Sequence, residues 1–150
     1  MEIKVSKYNP DLISDWNDVL LSSKNGHFLF SREYISYHGD RFEDISPIVY
    51  LNGKPVAFMP AAIDRTNGHI QSHPGLTFGG VVLQKELRGD IAIQIIETCL
   101  KSFADWGGDS LTVKILPSIY CSYPAEELQY FLWSRGFSLI KRHLSSVLSM

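Results

Sequence analysis

The sequence predicts one domain of mixed α and β structure, in which a mostly antiparallel central sheet is flanked by helices. Three observations lead to this fold class. Helical periodicity is strongest over residues 89–106, an Asn52-Gly53 pair separates two apolar runs, and short strand-like segments lie on both sides of the long helix. Hairpins followed by a β-α-β-α-β order require a mixed sheet with helices on both faces.

Composition is that of an ordinary globular protein and excludes several functions. The 150 residues suit a single domain over 1–150, and the net charge of −2 provides no basic surface for DNA or for an anionic membrane. We expect no signal peptide and no transmembrane segment. The two cysteines form no Cys-x-x-Cys motif and the histidines lack ligand spacing, so no metal site is expected. The expected location is the cytoplasm.

The first third of the chain is predicted to contain one strand and two helices. Residues 1–8 alternate apolar and polar side chains, which is typical of a strand. Asn9 is suited to cap the next helix, and Pro10 is suited to its first turn. A second, short helix is predicted to begin after Ser31 and to end at Gly39. The first helix should bury one apolar stripe, made of Leu12, Ile13, Trp16, Val19 and Leu20.

The middle third is predicted to be an antiparallel meander from Pro47 to Leu83. Asn52-Gly53 is a strong hairpin signal because both residues tolerate a positive φ. Thr66-Asn67-Gly68 is a second turn between strand-like runs. The meander should therefore include the glycine-rich stretch SHPGLTFGGVV, residues 72–82.

The last third is predicted to alternate helix and strand. A long helix over residues 89–106 ends at a Gly-Gly pair, and a strand follows over residues 110–117. Pro124 begins a fourth helix, which Gly136 ends. The remaining residues are expected to form a final strand that carries few charges to protect an edge.

The glycine-rich stretch admits two explanations. Gly75, Gly79 and Gly80 would expose backbone amides beside a cleft, with His73 and Thr77 offering side chains to a ligand. Alternatively, the glycines allow a bulged strand and a tight turn to pack under a neighbouring helix. The surrounding polar residues favour a site at the surface.

His73 is the residue best suited to acid–base chemistry, because the pKa of a free histidine lies near neutrality. Its sequence neighbours include no carboxylate that would orient it. A hydrogen-bonded structural histidine is therefore the alternative. No residue receives a catalytic role from the sequence.

A second group of candidate binding residues lies upstream. Tyr37, His38, Asp40 and Arg41 place four polar functions within five residues. Arg41 is suited to hold a carboxylate or phosphate with two hydrogen bonds. The other interpretation is an Asp40–Arg41 network that caps the second helix and ties it to the sheet.

Four sequence words occur in an order that resembles one protein family. They are Asn25-Gly26-His27-Phe28, residues 37–46, Met59-Pro60-Ala61 and residues 72–80. With the element order, they resemble the N-terminal module of FemAB-like proteins, which are bacterial relatives of the aminoacyltransferases that build peptidoglycan bridges. The resemblance covers essentially the whole chain and implies the GNAT acyltransferase fold.

The chain departs from the GNAT pattern where a cofactor would bind. Domains that bind acyl-CoA carry an Arg/Gln-x-x-Gly-x-Gly/Ala loop, whose amides hold the pyrophosphate at a helix N-terminus. Gln84 and Gly89 match this pattern as candidate cofactor-binding residues. Leu87 replaces the first glycine, and Glu86 and Asp90 add negative charge. We therefore expect no cofactor in the isolated chain.

The resemblance implies transfer of an acyl or aminoacyl group to an amine of a cell-envelope precursor or a sugar. The donor would be acyl-CoA or aminoacyl-tRNA. FemAB-like proteins usually carry two GNAT-like modules, so the partner would be a second module, in the same chain or as a separate protein. The rival hypothesis is a non-catalytic substrate-binding or interaction module. The isolated chain is expected to be inactive and to form a homodimer.

Overall fold

The computed structural model describes residues 1–144 and 146, in which short strands and helices alternate. The strands are β1 (Ile3–Lys7), β2 (Glu43–Asp44), β3 (Pro47–Leu51), β4 (Lys54–Phe58), β5 (Ala62–Asp64), β6 (His69–Gln71), β7 (Val82–Leu83) and β8 (Ser110–Thr112). The α-helices are α1 (Ile13–Ser22), α2 (Arg32–Ser36), α3 (Gly89–Asp105) and α4 (Glu127–Ser134). None of these helices is long and apolar enough to cross a membrane.

The strands form two four-stranded sheets. The order β1-β3-β4-β7 is antiparallel throughout. The order β2-β5-β6-β8 combines two antiparallel pairs with the parallel pair β6–β8. A parallel bridge between Gly79 and Ile115 joins the segments that precede β7 and follow β8. The prediction of a mixed, mostly antiparallel arrangement flanked by helices is confirmed.

The helix caps and tight turns lie at the residues where the local sequence predicts them. The side chains of Asn9 and Ser31 each accept a backbone N–H from the following helical turn. Asn52 and Gly53 have φ values of 49° and 80°, which is the geometry of a tight hairpin between β3 and β4. Gly68 has a φ of 68° in the turn between β5 and β6.

Two apolar clusters bury the helices against the strands. In the first, Trp16 of α1 stacks on Phe58 of β4 with ring centres 3.8 Å apart, and its Nε1 donates to the Phe30 carbonyl at 2.8 Å. The second cluster surrounds α3. Its buried apolar stripe from that helix is Ala92, Ile95, Ile96, Cys99 and Phe103. The isoleucine and phenylalanine side chains each contribute roughly 1.5–3 kcal/mol when fully buried.

The predicted meander is interrupted at the glycine-rich stretch. Residues 72–81 leave the sheet after β6, and the chain returns to pair β7 with β4. The prediction of a strand through this stretch is wrong. His73, with a φ of 47°, and the adjacent Pro74 turn the backbone away from extended geometry.

The predicted final strand is also wrong within the described residues. Residues 137–144 form no strand, and Leu139 and Leu144 are exposed. Lys141, Arg142 and His143 interrupt the alternation of apolar side chains, so this segment has no continuous face to bury. The part of the predicted strand that includes Val147 and Leu148 lies outside the described residues.

Candidate ligand-binding site

A cavity of about 410 Å³ lies between α2, the residues leading into β2 and the glycine-rich stretch. Small-molecule sites typically have volumes of roughly 300–1,000 Å³. Its polar lining side chains are Tyr8, Arg32, Glu33, Ser36, His38, Asp44 and His73, and Ile35 and Phe42 add apolar surface. We call it the Arg32 cavity.

Arg32 is the buried cation of this cavity. Its side chain is 9% exposed, and its guanidinium carbon lies 3.4 Å from the ring centre of Tyr8 and 3.7 Å from that of Trp16. Nη1 donates to Asp44 Oδ2 at 2.5 Å. Nε and Nη2 are buried and have no hydrogen-bond partner among the described residues. Burial lowers the pKa of Arg32, and the charge of Asp44 opposes this effect.

His73 is a neutral hydrogen-bonding group in this environment. It is 2% exposed, and burial lowers its pKa to about 4. Asp44 raises this pKa, whereas the positive charges of His38, Arg32 and Lys114 lower it. Nδ1 of His73 accepts the N–H of Gly75 at 3.3 Å, so the proton of the neutral ring is assigned to Nε2. His73 is therefore poised to donate rather than to act as a base at neutral pH.

His38 lies next to His73 on the same side of the cavity. Their ring centres are 5.7 Å apart. A Cβ on Gly75 would lie 2.6 Å from Nε2 of His38, so only a glycine leaves room for this ring.

Within the part of the chain that the structure describes, no group of three His, Cys, Asp or Glu side chains is arranged to hold a metal ion.

Three of the predicted binding residues therefore come together, since His38 and His73 line the cavity and Gly75 contacts His38. Tyr37 is 85% exposed and Arg41 is exposed, and neither lines the Arg32 cavity. The Asp40–Arg41 network is not formed among residues 1–144. The pair Arg32–Asp44 ties α2 to β2 instead.

The remaining predicted residues of the glycine-rich stretch lie away from the cavity wall. A Cβ on Gly79 would lie 2.2 Å from the Ser72 carbonyl oxygen, and Gly79 N–H donates to Lys114 O at 2.6 Å. Gly80 has a φ of 93° and packs under Leu128 of α4. Thr77 is exposed. Close backbone packing is sufficient to explain why Gly79 and Gly80 are glycines.

A second cavity of about 500 Å³ lies between the N-terminus of α3 and α4, and we call it the α3 cleft. It is lined by Gly89, Asp90, Glu126 and Glu127, among others. Asp90 and Glu126 are exposed, and Glu127 is partly buried. The carboxylates of Asp90 and Glu126 oppose the binding of a phosphate at this helix N-terminus, although the helix dipole favours it.

Several amides of the loop before α3 are bonded within the fold. The N–H groups of Gln84, Lys85 and Leu87 donate to the backbone carbonyls of Val56, Ser22 and Gln84. The Leu87 side chain is 6% exposed and belongs to the core. Three amides of this loop are therefore already used within the fold.

Lys24 is a buried residue that bonds to the loop before α3 and to α4. It is 1% exposed, and its Nζ donates to the Leu87 carbonyl at 2.6 Å and to Glu127 Oε1 at 2.5 Å. Its backbone N–H donates to Leu83 O, and its carbonyl accepts from Ser122 N–H. Lys24 thus connects the end of α1, the loop before α3 and the start of α4.

Sequence reasoning missed four of these residues. Arg32 and Asp44 are 12 positions apart, and Tyr8 lies in a different segment, so no spacing signal connects them. Lys24 stands in a polar segment that is typical of a solvated loop. Only the contacts between elements show that Arg32 and Lys24 are buried and that Asp44 and Tyr8 contact Arg32.

Comparison with solved structures identifies the fold. The aminoglycoside N-acetyltransferase AAC(6')-Iy, in complex with a CoA bisubstrate analogue, matches with a TM-score of 0.61 and 15% identity, over 100% of both chains. The ribosomal-protein-alanine N-acetyltransferase from Brucella melitensis matches with a TM-score of 0.56 and 12% identity, over 99% of this chain and 100% of that one. The glucosamine-6-phosphate N-acetyltransferase from Arabidopsis thaliana matches with a TM-score of 0.50 and 16% identity, over 99% and 100%.

These likenesses show that the chain has the GNAT fold, as predicted. No family model matches the chain, and no curated protein matches it by sequence. At such low identities the shared feature is the fold, and the chemistry of this chain has to be argued from its own residues.

Proposed function

We propose that the chain binds the acyl acceptor of a GNAT-fold N-acyltransferase and does not itself bind the acyl donor. One contrast carries this proposal. Arg32 has buried donors without a partner among the described residues, whereas the amides of Gln84, Lys85 and Leu87 and the Leu87 carbonyl are bonded internally. Enzymes with this fold acylate amines and must bind both an acyl acceptor and an acyl donor. In this proposal, the chain provides the acceptor site alone.

In its more specific form, the proposal is that the chain is the acceptor-binding half of a FemAB-like N-acyl or aminoacyltransferase. The four sequence words support this form, and the acceptor would be an amine of a cell-envelope precursor or a sugar. The donor, acyl-CoA or aminoacyl-tRNA, would be held by a second GNAT-like module. His73 would orient an acceptor oxygen through its Nε2–H, since its pKa of about 4 makes it a weak base.

NMR titration of the ¹⁵N-labelled chain tests the proposal. The probes are acetyl-CoA and four amines: neamine, glucosamine 6-phosphate, a peptide with N-terminal alanine and a peptidoglycan precursor. We expect at least one amine to shift the backbone signals of Ser36, His38 and His73 in a saturable manner. Acetyl-CoA should leave the signals of residues 85–93 unchanged.

A self-contained N-acetyltransferase is a second candidate. It is favoured by the match to AAC(6')-Iy, in which each chain covers 100% of the other. This candidate requires acetyl-CoA to shift the signals of residues 85–93 and an amine to trigger release of free CoA. Either result would contradict the proposed division between acceptor and donor binding.

A further inference from the structure

Three buried nitrogens beside the Arg32 cavity have no hydrogen-bond partner among the described residues. They are Nε and Nη2 of Arg32 and Nε2 of His38. The Arg32 side chain is nine-tenths buried. Buried polar groups almost always have a partner, and a charged donor is the most costly one to leave unpaired. The two unpaired N–H groups of Arg32 therefore indicate a missing acceptor, whereas Nε2 of His38 donates or accepts according to the tautomer of the ring.

The geometry of Arg32 specifies what kind of acceptor is missing. Nε and Nη2 form one edge of the guanidinium, with two parallel N–H groups, while Nη1 is bonded to Asp44. Tyr8 and Trp16 hold the plane of the guanidinium between their rings. A fixed edge with two parallel donors matches the two oxygens of a carboxylate or phosphate.

The charges around the cavity favour an anion on its buried side. Arg32 and Lys114 act on His73 as positive charges, and Asp44 is the carboxylate that opposes them. Both oxygens of Asp44 are already bonded, Oδ2 to Arg32 and Oδ1 to the N–H of Ser46 at 2.8 Å. Glu33 is exposed, so solvent screens its charge.

We propose that the Arg32 cavity is an oxyanion site, which binds the carboxylate or phosphate group of a small ligand. Arg32 provides the paired donors, and His73 provides a further donor from Nε2. Ile35 and Phe42 contact the rest of the ligand. In the proposed function this group belongs to the acyl acceptor, and the inference rests on that proposal only for this assignment.

Titration of the whole chain with sodium phosphate and with sodium acetate tests the site. The readout is the NMR signals of the His73 and His38 rings, and the controls are acetamide, a neutral isostere of acetate, and sodium chloride at matched ionic strength. Saturable shifts with phosphate alone indicate a phosphate-bearing ligand, and shifts with acetate alone indicate a carboxylate. The inference is overturned if neither anion gives saturable shifts, or if acetamide or chloride gives the same shifts.

The variant Arg32→Lys retains the charge and removes the paired donors. We expect it to weaken anion binding about tenfold or more. Arg65→Lys is the matched control, since Arg65 is exposed and paired with Glu43 outside the cavity. If R32K does not fold, the comparison of acetate with acetamide on the wild-type chain still tests the oxyanion site.

The two proposals fail separately. Binding of acetyl-CoA would overturn the proposed function and would leave the oxyanion site standing. Absence of any anion effect would overturn the oxyanion site and would leave the acetyl-CoA result unchanged.

Discussion

At the scale of single residues, burial sets the protonation of His73. The unfolded chain has an ordinary histidine, with a pKa near 6.5, whereas the folded chain holds the pKa at about 4. Between these values the unfolded state binds more protons than the folded state. Acid therefore favours unfolding in this window.

We predict that the free energy of unfolding falls as the pH is lowered from about 6.5 to about 4, by up to about 3 kcal/mol from this residue. Urea denaturation across this range measures the effect. His73→Asn should reduce the slope, because asparagine does not titrate and tolerates the positive φ at this position. Identical slopes for the wild type and H73N would contradict the assignment.

Gly79 is predicted to be intolerant of any side chain. Its missing Cβ would lie 2.2 Å from the Ser72 carbonyl oxygen, so Gly79→Ala must move the backbone that forms the bridge to Ile115. We expect a loss of more than about 1 kcal/mol in the free energy of unfolding. Thr77→Ala is the control in the same segment, because Thr77 is exposed, and it should change stability by less than about 0.5 kcal/mol. Equal stability of G79A and wild type would show that the close approach is easily relaxed.

At the scale of elements, Lys24 joins α1, the loop before α3 and α4 through one buried ammonium. The pair with Glu127 is costly to break, because removal of one partner leaves a charge in a poorly solvated place. Glu127→Gln is expected to destabilise the fold by roughly 3 kcal/mol in urea denaturation. Glu126→Gln, at the exposed neighbouring position, should have little effect. Addition of Lys24→Met should recover part of the loss, and a double variant less stable than E127Q would argue against the pair.

The α3 cleft permits a test of the proposal that the chain does not bind the acyl donor. Asp90→Asn with Glu126→Gln removes two negative charges from the cleft and leaves the bonded amides of Gln84, Lys85 and Leu87 in place. We expect this variant to remain unable to bind acetyl-CoA in calorimetry. Saturable binding would show that charge alone had excluded the cofactor.

At the scale of the whole molecule, apolar side chains remain uncovered after α4. Leu139, Ile140 and Leu144 are 69%, 78% and 102% exposed. These exposed apolar side chains are available for association with a second chain, so we predict that the chain forms dimers at high concentration in sedimentation equilibrium. Ile140→Glu should shift the equilibrium toward monomers. Leu21→Glu is the control, since Leu21 is also exposed, at 86%, but lies in α1, far from this segment in the sequence. The prediction would be contradicted if both variants shifted the monomer–dimer equilibrium to a similar extent.

The architecture also separates the two cavities. The Arg32 cavity is built around α2, and the α3 cleft is built by α3 and α4. The lining residues of the two cavities do not overlap. Ligand binding at Arg32 can therefore be measured independently of any event at α3.

The sequence by itself determined the features that depend on near neighbours. The caps at Asn9 and Ser31, the Asn52-Gly53 hairpin and the span of α3 follow from local hydrogen bonds, positive φ values and helical periodicity. The sequence also predicted His38, His73 and Gly75 as candidate binding residues. The reason was that polar side chains and glycines cluster there beside residues that favour strands.

Only the tertiary structure decided which side chains are buried together. Arg32 meets Asp44, and Lys24 meets Glu127 103 residues away, through contacts that no sequence spacing encodes. The structure also shows that residues 72–81 leave the sheet and that residues 137–144 form no strand, although the sequence predicted strands in both places. Burial is a property of the assembled elements, and it changes the chemistry of a side chain by removing water. For this reason the donors of the Arg32 cavity and the closed loop before α3 become visible only in the folded molecule.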